Sequence, residues 1–256
     1  MDNVINVVFV KWGNKYNDDQ LVSLFDQVYS YLGDWREETN VIKLALPQVS
    51  NQYLPFNFKY RFYCDGFDWN KYNLNARYPT ADIQHIQIPP GLHLKGVWNK
   101  LSMFSEDFPL EGKVFYLDLD TYIKGDFFNL LYSIDWSKLT MVDCHWKSKS
   151  IITATNYDVV INSSILAWDH SNPHIHQIWN HFNSGLRDYF LRKYVKGIDR
   201  FIYHEQSAFK PHLIDNFRRS YIQSYKYEPI NKPAAIVTFE EVDFGSIDTV
   251  SLFKSN

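Results

Sequence analysis

The sequence predicts an α/β fold with a mostly parallel central sheet flanked by helices. Three observations support this prediction. Residues 4–10 form a nearly continuous apolar run rich in β-branched side chains, typical of a strand covered on both faces. A helical pattern follows, in which apolar residues recur every three or four positions from Leu21 to Leu32. Short apolar runs then alternate with helical or polar segments through the first half of the chain, the order expected of a doubly wound sheet.

The remaining elements are predicted from the same periodicities and from Gly and Pro punctuation. Asn17 or Asp18 is placed to cap the first helix. Further strands are predicted at residues 41–46, 60–64, 83–88, 114–117, 139–142 and 234–237. Helices are predicted at residues 97–104, 126–131, 175–183 and 186–195, and a loop at 68–81. Within residues 157–168, two apolar strand segments are expected on either side of the polar residues 162–164.

Composition narrows the class of protein. The net charge of −3 gives no basic field that would favour nucleic acid. Two cysteines, Cys64 and Cys144, exclude a disulfide scaffold and indicate a reducing compartment. No basic leader precedes the first apolar run, and no apolar stretch reaches the roughly 18 residues of a membrane span. Aromatic residues make up 18%, which suits a large core and also a cleft for sugars or bases.

Two aspartates, Asp118 and Asp120, directly follow the apolar strand of residues 114–117. Ligands of open α/β sheets bind outside the carboxyl ends of the strands. The i, i+2 spacing directs both side chains to one face of an extended backbone. Hard oxygen donors in this arrangement suit Mg²⁺ or Mn²⁺, which would also hold a diphosphate. The alternative is that both are loop aspartates that cap the next turn.

The surrounding stretch, VFYLDLDTYIKGDFFNLL, resembles the D-x-D region of GT-A-fold glycosyltransferases. The resemblance is to the glycogenin/galactosyltransferase-like (family 8-like) group and related bacterial and viral proteins. Four further stretches agree in order, and the resemblance as a whole covers roughly residues 4–206. They are FVKWGNKY at residues 9–16, FYCDGF at 62–67, WNKLSMF at 98–104 and INSSILAWD at 161–169.

This resemblance implies a single GT-A domain over residues 1–256, with a nucleotide-sugar-binding half at 1–125 and a mixed acceptor-side half at 126–256. It implies transfer of a sugar from a nucleoside diphosphate sugar, with UDP-sugar the expected donor, and a Mn²⁺ or Mg²⁺ cofactor. Asp120 is expected to bind the metal, and Asp118 the metal or the ribose. The other residues expected at the donor are Val10, Lys11, Trp12, Gly13, Tyr16, Asp65, Lys100 and Leu119.

For the reacting sugar and the acceptor, the resemblance implies roles for Asn162, Ser163, Glu205 and Gln206, with Lys100 also counted as catalytic. The Glu205-Gln206 match is loose, because the family usually has Asp before Gln at that place. Each of these residues has a structural alternative: a turn at 162–163, a solvated helix lysine at 100, and ordinary packing for Trp12 and Tyr16.

The sequence departs from the family near its carboxyl end. Relatives place a histidine in a His-x-Gly-x-x-Lys-Pro pattern after the last strand, which completes the metal site. Here the stretch is AAIVTFEEVDFG, and Glu240 is the expected third ligand. The lysine that would neutralise the leaving diphosphate is missing as well, and Lys254 is distant in sequence.

Retention of the anomeric configuration is the expected outcome; inversion would need a general base, for which Asp143, Asp169 and Glu205 are candidates. Two other functions stay open at this point: a nucleotidyltransferase-type enzyme and a non-catalytic carbohydrate-binding module. The expected partners are the donor and a glycan, protein or small-molecule acceptor, with no nucleic acid and no transmembrane segment. The expected location is the cytoplasm, or the host cytoplasm if the source is a virus.

Overall fold

The computed structural model describes residues 4–12, 15–32, 56–64, 66–125, 127–147, 159–195, 197–229 and 234–239. The predicted strand at 41–46 and the site candidates Gly13, Asp65 and Glu240 lie outside these residues.

A seven-stranded sheet forms the centre of the fold, in the order β3-β2-β1-β4-β7-β6-β8. Its strands are β1 (Val4–Lys11), β2 (Asn57–Cys64), β3 (Asp82–His85), β4 (Lys113–Leu117), β6 (Leu139–Asp143), β7 (Ile161–Asp169) and β8 (Ile214–Asn216). Strand β7 runs antiparallel to β4 and β6, whereas the other neighbouring pairs are parallel. A small second sheet contains β5 (Thr121–Ile123), β10 (Ile236–Thr238) and β9 (Ile222–Ser224), in that order. The predicted α/β class with a mostly parallel central sheet is confirmed.

Helices cover both faces of the central sheet. They are α1 (Asp18–Leu32), α2 (Trp69–Tyr72), α3 (Leu74–Arg77), α4 (Asn99–Ser102), α5 (Phe127–Tyr132), α6 (His176–Phe182), α7 (Arg187–Lys193) and α8 (Ile198–Glu205). Short 3₁₀ turns occur at Pro90–Leu92, Gly96–Trp98 and Gln206–Ala208. Asn17 caps α1 as predicted, since its Oδ1 accepts a hydrogen bond from the Gln20 amide at 2.9 Å.

Alternation along the strands divides the core into two halves. In β1, Val7 and Phe9 pack on the face that carries α1, whereas Val8 and Val10 pack on the face of α4, α6 and α8. In β4, Phe115 belongs to the first half and Tyr116 to the second. This period of two explains why the apolar runs in the sequence are nearly continuous: both faces of the sheet are buried.

Several element predictions were wrong or incomplete. Residues 68–81, expected as loop, contain the short helices α2 and α3. Helix α8 and the short strands β5, β8 and β9 were not predicted. Residues 161–169 form one strand rather than two, because β6 absorbs the polar interruption by a shift in pairing: Met141 faces Leu166, and the next residue, Val142, faces Asn162. No helix among the described residues is long and apolar enough to cross a membrane.

Candidate active site at the carboxyl edge of the sheet

Asp118 follows the last residue of β4, at the edge of the sheet where β1 and β2 also end. Its amide donates to the Ser164 carbonyl of β7 at 2.7 Å, and the Thr121 hydroxyl donates to its carbonyl at 2.7 Å. The backbone is therefore fixed from both sides, so its carboxylate is held at the mouth of the sheet.

The Asp118 carboxylate is bound by two buried side chains. The Lys100 ammonium on α4 lies 2.6 Å from Oδ2, and the Tyr116 hydroxyl donates to Oδ1. Burial raises the pKa of Asp118, Lys100 opposes this rise, and the nearby Asp120 charge adds to it. Burial, helped by Asp118, also raises the pKa of Tyr116, so its hydroxyl remains a donor.

Asp120 is held from the opposite side by the segment that joins β1 to α1. The Tyr16 hydroxyl donates to Oδ2 at 2.6 Å, and the Lys15 ammonium lies 3.3 Å from the same oxygen. Burial raises the pKa of Tyr16, and the charges of Asp120 and Asp118 raise it further. The Asp120 carbonyl accepts the Phe239 amide at 3.0 Å, so the chain just after β10 lies against this residue.

Asp118 and Asp120 offer oxygen donors of the kind that divalent metals use in proteins. Within the part of the chain that the structure describes, no three His, Cys, Asp or Glu side chains form a complete metal site. Both oxygens of Asp118 and one oxygen of Asp120 already accept hydrogen bonds. Mg²⁺ and Mn²⁺ commonly take one or two protein carboxylates and complete their shell with water and phosphate. Asp120, with Asp118 beside it, matches that donor set.

A cavity of about 600 Å³ lies along the same edge, at the ends of β1, β2 and β3. This volume is in the usual range for small-molecule sites. Lys11, Trp12, Tyr63, Cys64, Gly66, residues 85–90 and His93 line it. Of the predicted donor residues, Lys11 and Trp12 therefore face the cavity, and Lys11 is also paired with Asp18 at 2.9 Å.

Two predicted donor residues point elsewhere. Val10 and Leu119 are buried, at 5% and 1% exposure, and pack in the two halves of the core. Only their backbone atoms are available to a ligand. The Tyr16 hydroxyl is hydrogen-bonded to Asp120, and Tyr16 is not among the residues that line the cavity.

The polar residues of β7 lie against the carboxylates. Lys100 donates to the carbonyl of Ser163 at 3.2 Å and to its hydroxyl at 3.4 Å. Asn162 holds the Ser164 amide through its Oδ1 at 2.7 Å. The Ser163 amide donates to Asp199 Oδ1, at the start of α8, at 2.9 Å. Lys100 thus links Asp118 to Ser163, and the Ser163 amide in turn contacts Asp199.

The comparisons with known proteins concern the fold. No protein-family model matches the sequence, and no curated protein matches it at a significant level. Among solved structures, the galactosyltransferase LgtC, in complex with donor and acceptor sugar analogues, has a TM-score of 0.53 at 13% identity, covering 91% of this chain and 86% of that chain. Mouse xyloside xylosyltransferase 1 has a TM-score of 0.52 at 9% identity, covering 93% and 98%. The Streptococcus pneumoniae glycosyltransferase GlyE has a TM-score of 0.52 at 13% identity, covering 91% of this chain and 54% of its own.

The chain has the GT-A fold. In this GT-A sheet, Asp118 and Asp120 lie at the end of β4, and the cavity lies beside them at the ends of β1 to β3.

The contacts that the structure shows for Glu205 and Gln206 involve neither Asp118 nor Asp120. Glu205 ends α8, roughly 9 Å along the helix from Asp199. Its carboxylate accepts from Tyr194, from Lys193 at 2.9 Å, and lies 3.0 Å from His181 Nε2. Burial alone would raise the pKa of Glu205, but these hydrogen bonds outweigh it and lower the pKa to about 2. Gln206 donates to the Tyr203 carbonyl at 2.9 Å.

The candidates for a general base are separated by the topology of the sheet. Asp169 ends β7 opposite Lys113, the first residue of β4, so it lies at the far edge from Asp118. Asp143 ends β6 at the near edge, and its Oδ2 accepts from Arg219 Nε at 2.7 Å. Asp199, which the sequence reading did not select, is the acid in contact with Ser163.

Three residues in contact with the carboxylates or with Ser163 were missed from the sequence: Lys15, Tyr116 and Asp199. Most of the residues that line the cavity were not predicted either. Tyr116 was visible as the strand residue two positions before Asp118, on the same face by the period of two. Lys15 directly precedes Tyr16 in a stretch already singled out. Asp199 follows Gly197 by two residues, and Gly197 has a φ of 104°, a conformation that favours glycine and that a helix start after a sharp turn requires. No motif in the sequence marked it.

Proposed function

We propose that this protein is a glycosyltransferase that moves a sugar from a nucleoside diphosphate sugar, with UDP-sugar the expected donor, to an acceptor hydroxyl. The observation that carries the proposal is the pairing of Asp118 and Asp120 with a cavity on the same sheet edge. The GT-A fold supports sugar transfer in general, since LgtC, GlyE and the mouse xylosyltransferase are glycosyltransferases by name.

The nucleoside is proposed to occupy the cavity at the ends of β1 to β3, where Trp12 offers an aromatic face and Lys11 a cation. Strand β4 is next to β1, and neighbouring strands are roughly 4.8 Å apart. The diphosphate of a nucleotide whose base lies in the cavity can therefore extend to the end of β4. Gly13 and Asp65 follow the ends of β1 and β2 in sequence, and their predicted roles at the donor remain part of this proposal.

Asp120 and Asp118 would hold Mn²⁺ or Mg²⁺, and Glu240 is proposed as a third ligand because Phe239, the residue before it, donates its amide to Asp120. A bound divalent ion would act as a Lewis acid that neutralises the charge developing on the diphosphate. Lys100 and Tyr116 fix the Asp118 carboxylate, and Tyr16 fixes Asp120, so the acidic groups are oriented before a donor arrives.

Lys15 is proposed to supply the second positive charge on the leaving diphosphate. The family lysine near the carboxyl end is absent, while the Lys15 side chain is 72% exposed and lies 3.3 Å from Asp120. An exposed lysine beside a carboxylate can turn to a phosphate at little cost, because such surface ion pairs contribute little to stability. Lys100 cannot take this role as freely, because it is buried and bound to both Asp118 and Ser163.

Asn162, Ser163 and Asp199 are proposed to contact the donor sugar or the acceptor; the contacts that link Ser163 to Lys100 and to Asp199 support this proposal. Retention is the proposed outcome. If inversion holds instead, Asp143 and Asp199 are the acids on the correct edge to accept a proton from the acceptor, whereas Asp169 is not. A cytoplasmic location remains part of the proposal.

The proposal is tested by thermal unfolding against UDP-, GDP-, dTDP- and CDP-sugars, each with Mn²⁺ and with EDTA. A ligand that binds the folded state raises the melting temperature by mass action. We expect one nucleotide to stabilise the protein in a metal-dependent way. Absence of any shift at millimolar concentration in both conditions would contradict the proposal.

Release of free nucleoside diphosphate from the stabilising donor separates an enzyme from a carbohydrate-binding module. A transferase hydrolyses its donor slowly when no acceptor is present, and this release should need Mn²⁺ or Mg²⁺. A binding module would bind sugar without releasing nucleotide, and its binding would not depend on Asp118.

A further inference from the structure

One surface beside the cleft combines exposed apolar side chains with basic ones. We call it the basic apolar patch. Its members are Val97, Leu186, Tyr189 and Val195, which are apolar, with Lys95 and Arg192. Val195 is 75% exposed, which makes it the most exposed large apolar side chain among the described residues. Single exposed apolar residues are common on proteins, but four within two adjacent segments call for an explanation.

The contacts show that the two segments adjoin. The Arg187 guanidinium on α7 donates to the His93 carbonyl at 3.2 Å, which ties α7 to the turn before Lys95. A Cβ placed on Gly197 would lie 2.7 Å from Val97 Cγ2, so Val97 packs directly on the chain that follows Val195. The Lys193 ammonium lies 5.3 Å from the centre of the Tyr189 ring. The patch is therefore one continuous surface rather than scattered residues.

The charge of this surface is opposite to that of the whole chain. Residues 186–195, LRDYFLRKYV, carry three basic side chains and one acidic one, a net charge of +2, in a protein of net charge −3. The acid within residues 93–97 and 186–195 is Asp188, which is exposed on α7, and Glu205 of α8 pairs with Lys193. Lys95 and Arg192 remain exposed.

We propose that the basic apolar patch binds an anionic lipid bilayer. Surface segments that lie in a membrane interface combine apolar and aromatic side chains, which enter the headgroup region, with Lys and Arg, which attract anionic lipid. Leu186, Tyr189 and Val195 supply the first kind, and Arg192 and Lys95 the second. Protein–protein interfaces, in contrast, deplete charged residues, and lysine in particular, at their apolar centre.

The location relative to the cleft gives this binding a consequence. His93 lines the cavity and accepts the hydrogen bond of Arg187, and Val97 precedes Lys100 in the turn that leads into α4. Docking of the patch would bring the mouth of the cleft to the bilayer surface. This consequence rests on the proposed function, whereas vesicle binding does not, and it favours an acceptor hydroxyl on a lipid headgroup or a lipid-linked glycan.

The test is flotation of the full chain with vesicles of phosphatidylcholine alone and with 30% phosphatidylglycerol, at about 50 mM and 500 mM salt. We expect binding to the anionic vesicles at low salt that weakens at high salt, because the Debye length falls from more than 10 Å to a few Å. Arg192→Glu changes two unit charges and should weaken the partition coefficient at least tenfold. The double variant Leu186→Ser/Val195→Ser should also weaken it at least tenfold, because it removes the groups that enter the headgroup region.

Matched controls lie on the opposite half of the fold. Tyr31→Ser removes a 39% exposed apolar side chain on α1, and Lys71→Glu reverses an exposed charge on α2; both should bind vesicles like the wild type. Circular dichroism and the melting temperature establish that every variant is folded. Equal binding of the double variant and the wild type would overturn the proposal. Failure of the wild type to float with either kind of vesicle would also overturn the proposal. If the wild type did not float and were instead a dimer that the double variant dissociates, the patch would be a contact between two copies of the chain.

Nucleotide binding separates this proposal from the proposed function. Vesicle binding with no nucleotide binding would leave the patch assignment standing and remove the transferase. Metal-dependent nucleotide binding without flotation would support the transferase and remove the patch assignment.

Discussion

Replacement of Lys100 by methionine tests how the site is held together. Lys100 is 7% exposed and its ammonium lies 2.6 Å from Asp118 Oδ2, whose side chain is 21% exposed. Methionine keeps most of the side-chain volume but leaves Asp118 with Tyr116 as its remaining side-chain donor. Removal of one partner of a buried ion pair typically destabilises a protein by about 3–5 kcal/mol. For a chain of this length, such a loss lowers the melting temperature by roughly 6–20 °C.

The assay is urea unfolding at pH 7 of four proteins: wild type, Lys100→Met, Asp118→Asn and the double variant. We expect the double variant to recover at least about 1 kcal/mol of the Lys100→Met loss, because asparagine leaves no uncompensated charge. The loss in Lys100→Met should also shrink as the pH falls. Burial already raises the pKa of Asp118, and removal of the lysine raises it further, so protonation of this carboxyl stabilises the folded variant in acid. A Lys100→Met midpoint equal to that of the wild type, or a double variant no more stable than Lys100→Met, would refute this reasoning.

Three further predictions concern other parts of the chain. Lys15→Met should weaken UDP binding about fivefold and leave uridine binding and the free energy of unfolding within about 0.5 kcal/mol of wild type, as measured by calorimetry and urea unfolding, because the lysine is exposed and serves the phosphates; equal losses for UDP and uridine would contradict it. Glu205→Gln should lose about 1 kcal/mol of stability at pH 7. Because the folded pKa of about 2 lies below the ordinary 4.5, this difference should disappear as the pH falls from 4.5 towards 2, and a difference independent of pH would count against the network. Gly197→Ala places a Cβ at 2.7 Å from Val97 Cγ2 at a φ of 104°, whereas in the control Gly185→Ala, at a φ of 87°, the Cβ meets no atom within 4 Å. Urea unfolding should show Gly197→Ala to be the more destabilising by at least about 1 kcal/mol. Equal losses of stability in the two variants would disprove the close contact.

The sequence predicted the fold more completely than the candidate site. Strand β1 and helix α1 were predicted because their apolar periodicities are strong and local. The short helices α2 and α3 were missed because four-residue helices have too few turns for a period to show. Strand β7 was divided in the prediction because a polar interruption in one strand is resolved by its neighbour β6, a long-range pairing that one-dimensional patterns do not contain.

At the site, the D-x-D stretch identified Asp118 and Asp120 because their chemistry follows a buried strand directly. Tyr116 lies two positions before Asp118, but the partners Lys100 and Tyr16 come from segments distant in sequence, 18 residues from Asp118 and 104 residues from Asp120. Their roles depend on contacts that the sequence does not show. Lys100 was expected at the donor phosphate, and the structure shows it bound to Asp118. Glu205 was selected for its place before a glutamine, yet helix α8 brings Asp199 to Ser163 and directs Glu205 to Lys193. The positions of Asp199 and Glu205 on α8 determine which of these two acids contacts Ser163, and the sequence alone does not distinguish them.

The central claim is that the carboxylates at the end of β4 hold a nucleoside diphosphate with a divalent metal. Isothermal titration calorimetry of UDP and GDP into the wild type and into Asp120→Asn, each with Mn²⁺ and with EDTA, tests it most directly. We expect binding of one nucleotide to the wild type in Mn²⁺, with at least a tenfold loss in EDTA and a similar loss in Asp120→Asn, because a neutral amide is a poor ligand for a hard cation. Binding of equal strength in EDTA and in Asp120→Asn would contradict the claim.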